Sequence, residues 1–196
     1  MGDCMEREGV FENMDDPNGC EAAFRQAYGV YCWIRDNPVI PESGTSRMLK
    51  RPDFNRYGKK LEEEINELWL LERGEHYHTG DRENDFRTES NQVWYWMAIA
   101  DVVSGLPYES IIPHSHAMNG FHDPESTNID KPTINATGTE ELNKTTKRCM
   151  KFLGSMCKKF GCPPTVIAVY DLEQMKKRLY LHDALREVGY LNEQKK

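Results

Sequence analysis

KKLEEEINELWLLERG, residues 59–74, is the stretch whose reading decides the fold. Its apolar residues Leu61, Ile65, Leu68 and Leu71 recur at three- and four-residue spacing, the period of one helix face. Gly74 is the left-handed stop that commonly follows a last helical turn. The same helix carries four carboxylates within six residues, Glu62, Glu63, Glu64 and Glu67, although like charges three or four apart repel on a helix. With Leu61 at zero and about 100° per residue, Glu64 falls at about 300°, between Leu68 and Leu71, while Glu67 borders the stripe and Glu63 lies beyond it. Glu64 is therefore expected to point inward, where a carboxylate must take up a proton or meet a cation.

The next helical pattern repeats the anomaly. In TESNQVWYWMAIADVV, residues 88–103, Val93, Trp96, Ala100 and Val103 fall within about 40° of Glu89, and Gln92 sits beside Ile99. The run is apolar nearly all round, as befits a central helix. Two consecutive helices thus offer acids from within buried stripes, as Glu64-x-x-Glu67 and Glu89-x-x-Gln92. Facing helices with axes about 8–10 Å apart would gather these oxygens around a hard cation such as Mg²⁺, with Mn²⁺ as a substitute.

Outward from these two helices, periodicity predicts further helices over 20–36, 140–160 and 165–188. Pro38 follows the first, Gly161 follows the second, and Pro163-Pro164 opens the last. The β-like run Val166–Tyr170 reads equally as the first turns of that last helix. Residues 38–55 and 75–87 read as loops, Thr88 as a helix cap, and 112–148 as an irregular insertion. The expectation is an all-α bundle of four to five helices: a loosely ordered segment over 1–20, then one domain over 21–196.

Composition narrows the function. The net charge of −7, without a basic segment, removes the phosphate attraction that long nucleic acid requires. No apolar run approaches the roughly 20 residues of a membrane span, and the acidic N-terminus is unlike a signal peptide. A cytoplasmic location is expected. Cys4, Cys20, Cys32, Cys149, Cys157 and Cys162 form no C-x-x-C pair and read as free thiols.

KKLEEEINEL resembles the K-L-x-E-E-x-x-E helix of the all-α nucleoside triphosphate pyrophosphatases, the MazG and dimeric dUTPase superfamily. TESNQVWYWMAIADVVSGLPYESI resembles its second helix, E-x-x-D followed by an apolar run, and the C-terminal VYDLEQMKKRLYLHDALREVGYL is similar to the ending of the dimeric dUTPase branch. The resemblance covers about 56–111 and 149–191. It implies Glu64, Glu67 and Glu89 as metal ligands with Glu63 as acidic neighbour and catalytic partner. Gln92 stands where the family has Asp, with Asp85 one turn before Glu89 as a possible substitute. It further implies a Mg²⁺-dependent release of nucleoside monophosphate and pyrophosphate. Lys60, Lys176, Lys177, Arg178, Arg186 and Tyr190 would face the substrate, and a homodimer or homotetramer would form the pocket between subunits.

Two rival readings use other residues. His76-x-His78, His114-x-His116 and His122 would assemble a zinc-dependent hydrolase. Alternatively, the neutral Gln92 marks a helical nucleotide- or partner-binding module without catalysis.

Overall fold

The computed structural model describes residues 16–124 and 130–192. Among them the chain is helical without strands, as expected. The elements are α1 (Pro17–Asp36), α2 (Gly44–Lys50), α3 (Phe54–Arg73), α4 (Arg82–Val103), α5 (Tyr108–Ile111), α6 (Pro113–His122), α7 (Thr139–Phe160), α8 (Thr165–Lys176), a 3₁₀ turn (Leu179–Leu181) and α9 (His182–Glu187). The reading of 1–20 as loose falls on 1–15, outside the described residues, while 17–20 already belong to α1.

Several boundaries differ from the sequence expectation, each for a local reason. The helix expected from 89 starts seven residues earlier, because the Asp81 carboxylate caps it by accepting from Glu83 and Asn84 backbone N–H groups at 3.1 and 3.2 Å. Thr88, expected as the cap, lies inside the helix and donates its hydroxyl to the Asn84 carbonyl. α2 arises in a presumed loop, where the Ser43 hydroxyl accepts from Ser46 N–H at 3.0 Å. The last helix is broken after Lys176, and residues 166–170 are helical.

α4 is the centre of the bundle, packed against α1, α2, α3, α7 and α8. Phe86, Val93, Trp94, Met97, Ala98, Ile99, Ala100 and Val102 are all buried on it, so every face of the helix needs a neighbour. Two acids cross-link those neighbours. Asp171 of α8 accepts from the Tyr31 hydroxyl of α1 at 2.8 Å and the Trp94 indole N–H of α4 at 3.1 Å. Asp101 of α4 accepts from the Thr146 hydroxyl of α7 at 2.9 and 3.0 Å. Burial raises Asp101 well above the usual carboxylate range and pushes Asp171 up to about 7.

Within the presumed irregular insertion over 112–148, residues 113–122 and 139–148 are helical, and α6 lies along α7. Gly120 and Gly154 make this contact possible. A Cβ on Gly120 would stand 1.9 Å from the Lys151 carbonyl oxygen, and one on Gly154 would stand 1.8 Å from that of Ala117. Each glycine therefore lies against the other helix's backbone.

Two outcomes test this packing. Gly154→Ala should lower stability by about 3 kcal/mol or more, since backbone must move, as read by chemical denaturation; a change below about 1 kcal/mol would refute the close approach. For Asp171, the folded value of about 7 lies above the unfolded 3.8, so the native chain keeps a proton that the unfolded chain releases between those values. The resulting stabilisation is full near pH 4 and is lost as pH rises through 7. Asp171→Asn should flatten that decline, gaining on wild type by on the order of a few kcal/mol between pH 4 and 8. A pH-independent offset would contradict the assignment.

Candidate metal centre

The centre is built where α3 hands over to α4. Gly74 closes α3 at φ 75°, and the chain turns back through EHYHTGD, residues 75–81. Asp85, fully buried in the first turns of α4, anchors this loop. Its carboxylate accepts from the backbone N–H of His78 at 3.1 Å and of Thr79 at 3.0 Å, and from the Thr79 hydroxyl at 2.7 Å. These bonds, the hydroxyl foremost, hold Asp85 below the ordinary carboxylate range. Gly80, at φ 79°, supplies the left-handed turn that lets Asp81 cap the helix.

The anchored loop lays two imidazoles over the acidic face of α3 and α4. His76 Nε2 and His78 Nε2 are 3.1 Å apart, and His78 Nε2 contacts Glu89 Oε1 directly. His76 Nε2 is 3.7 Å from the same oxygen and 3.8 Å from Glu67 Oε2. One ligand atom from each of Glu67, His76, His78 and Glu89 lies within 4.8 Å of all the others, so the four could hold one metal ion. Glu89 is only 1% exposed, and its Oε2 has no hydrogen-bond partner among the described residues. Burial raises the Glu89 carboxyl, against the pull of His78. The hydrogen bond to Glu89 in turn raises the His78 imidazole.

Glu64 lies beside the four but is only half-buried, at the edge of the apolar face where the helical wheel expects it to point inward. Burial first, then the charges of Glu67 and Glu89, push it up to about 7. The Trp96 indole favours the charged form of Glu64 through its N–H dipole. That N–H is nevertheless outside hydrogen-bonding geometry with any acceptor among the described residues.

Other anticipated residues are placed elsewhere. Glu63 is exposed and forms an ion pair with Lys60 at 2.6 Å, so these two satisfy each other on the outer flank of α3. Asp85 acts on the loop backbone and is not one of the four. Gln92 faces a polar cavity of about 380 Å³ on a different flank of α4, lined also by Thr45, Asn91, Tyr95, Asp171 and Arg178. Lys176 pairs with Glu173 at 3.3 Å, Lys177 donates to Gln174 at 3.0 Å, and Arg186 pairs with Asp183. The Tyr190 hydroxyl donates to Glu173 at 2.6 Å. None of these four bonds to the acidic cluster, whereas the Arg178 guanidinium borders the cavity without a hydrogen bond or ion pair among the described residues. His114, His116 and His122 lie on α6, where His114 stacks on Tyr108 and sits 3.6 Å from Glu21. They do not join His76 and His78.

No protein-family model, no curated protein and no solved structure matches this chain. The histidines and the carboxylates, separate alternatives in the sequence, meet in one place. The available signal was the pair HTGD and Asp85, a cap motif followed by a first-turn acid able to draw the preceding loop down onto the helix.

The repulsion within this face has a measurable consequence. Because the folded value of Glu64 lies above its unfolded 4.5, its contribution to stability falls as pH rises through about 7. In metal-free protein, Glu64→Gln should melt higher than wild type at pH 8 and lose that advantage by pH 5. A Tm difference that ignores pH would show that Glu64 is not held among the other acids.

Proposed function

We propose that the chain is a metal-dependent nucleoside triphosphate pyrophosphohydrolase. The observation that carries this reading is the convergence of Glu64 and Glu67 from α3 with Glu89 from α4, in the order and spacing of the resemblance described above. A divalent cation held by Glu67 and Glu89, with the adjacent imidazoles, would neutralise the phosphates and lower the pKa of a nearby water. Glu64, poised near neutrality beside it, suits the proton acceptor that the attacking water needs. Among the described residues, Arg178 is the one cation of the expected substrate set whose side chain has no partner, and its place at the rim of the polar cavity suits contact with a phosphate. The amides of Asn91, Gln92 and Gln174 in that cavity offer donors and acceptors for a base or sugar.

In this reading Gln92 reads substrate and does not replace the missing Asp ligand, because His76 and His78 fill the fourth side of the acidic cluster. Assembly as a dimer or tetramer belongs to the same proposal. The histidines favour one second reading, a zinc-type hydrolase acting on another ester or amide.

The test is pyrophosphate release from a panel of ribo- and deoxynucleoside triphosphates with Mg²⁺, Mn²⁺ and Zn²⁺. At least one nucleotide should be split to monophosphate and pyrophosphate, and Glu89→Gln should reduce turnover by about 100-fold or more. Arg178→Ala should raise KM more than it lowers kcat. Absence of pyrophosphate with every nucleotide and ion, or full activity in Glu89→Gln, would overturn the proposal.

A further inference from the structure

We propose that His76 and His78 are ligands in their own right, so that the centre is a mixed imidazole–carboxylate site selective for a first-row transition ion such as Zn²⁺ over Mg²⁺. The inference deepens the reading above by naming the class of ion. Its test uses no nucleotide, so either can fail while the other stands.

Three observations carry it. The first is convergence. Two imidazole nitrogens and one carboxylate oxygen meet with separations of 3.1 Å between the nitrogens and 3.7 Å from His76 to Glu89, and Glu67 Oε2 lies 3.8 Å from His76 Nε2. Ligand atoms about 2.0–2.2 Å from a common ion lie roughly 3.0–3.5 Å from one another, so small side-chain adjustments complete the shell. A shared proton links only one pair of these atoms at a time and leaves the others facing unbonded.

The second observation is an orphan. Glu89 Oε2 is buried without a hydrogen-bond partner among the described residues, on a side chain 1% exposed, beside the oxygen that meets His78. A buried carboxylate in that state calls for a positive charge nearby. Glu67 lies across the cluster, and two carboxylates with two neutral imidazoles match a divalent ion in charge.

The third is support that does not depend on an ion. Asp85 takes the backbone N–H groups of His78 and Thr79, which fixes the loop and the direction from which the imidazoles arrive. Second-layer bonding of this kind orients ligands before an ion is bound. The donor types then decide selectivity: imidazole suits Zn²⁺, Fe²⁺, Co²⁺ and Ni²⁺, whereas Mg²⁺ takes an all-oxygen shell rich in water.

Metal-stripped full-length protein would be titrated with Zn²⁺, Co²⁺ and Mg²⁺ against a chromophoric chelator. Bound metal would be counted after dialysis, and Co²⁺ would be followed by its visible d–d absorption. One Zn²⁺ per chain is expected, held at least about 100-fold more tightly than Mg²⁺, and Co²⁺ should show bands of low-coordinate nitrogen–oxygen ligation. His78→Ala should cut Zn²⁺ affinity by about 10–100-fold and change Mg²⁺ affinity by less than about 2-fold, since Mg²⁺ gains little from imidazole. Equal or greater preference of the wild type for Mg²⁺ would overturn the proposal without recourse to any variant. So would Zn²⁺ binding indifferent to both His76→Ala and His78→Ala in folded protein, or binding of no ion, which would leave the histidines as proton partners of Glu89.

Discussion

The constraint on which the structure turns is that α4 has no exposed residue from Asp85 onward yet buries acids at 85, 89 and 101. Each acid is reconciled with burial by a different device. Asp85 takes amide hydrogens from the loop that precedes its helix, Asp101 takes a hydroxyl from α7, and Glu89 faces two imidazoles. Of the three, Glu89 alone keeps an oxygen without a partner among the described residues. The tertiary arrangement follows from these solutions: α7 is held by Thr146, the hairpin to α3 by Asp85, and α8 reaches α4 through Trp94 and Asp171. What distinguishes the candidate centre from its sister acids is therefore not burial but incomplete neutralisation.

The loop that carries His76 and His78 illustrates how position substitutes for rigidity. It has no regular structure and few apolar anchors, and Tyr77 between the histidines is exposed. Its order derives from backbone donors returned to Asp85, with Thr79 serving both as donor to Asp85 and acceptor from Asp81. Small polar residues thus aim two large ones. The same economy appears in the polar cavity across α4, where Asp171 accepts from tyrosine and tryptophan while the charge of Arg178 acts on it from the cavity lining.

The all-helical class was legible because Leu61, Ile65, Leu68 and Leu71 keep an unbroken helical period, and the same wheel sets Glu64 on the flank that meets Glu67 and Glu89, where it is half-buried. Glu89 was legible for the same reason. The role of the histidines was not, since it depends on a loop folding back against the helix it leads into, an event with no periodic trace. Asp81 and Asp85 hinted at it, but the apolar run beginning after Thr88 drew the helix boundary too late. α2 escaped because seven residues are too few for a periodic signal, and the break after Lys176 escaped because Leu181, Ala184 and Leu185 resume burial in a similar rhythm. Gln92, placed by spacing beside the acids, faces elsewhere because a helix with neighbours all round presents adjacent turns to different partners.

The reciprocal seating of Gly120 and Gly154 bears on how this molecule can move. Because each glycine meets carbonyl oxygen and not a side chain, the clash of an added methyl cannot be relieved by trimming a neighbouring residue. The contact is also a register lock: sliding α6 along α7 by one residue would set Cβ-bearing positions against the same carbonyls. Any displacement of α6 must carry α7 with it. Through Thr146 and Asp101 that displacement reaches α4, the helix on which Glu89 is mounted. A stretch of sequence with the look of a detachable excursion is mechanically geared to the helix that carries Glu89.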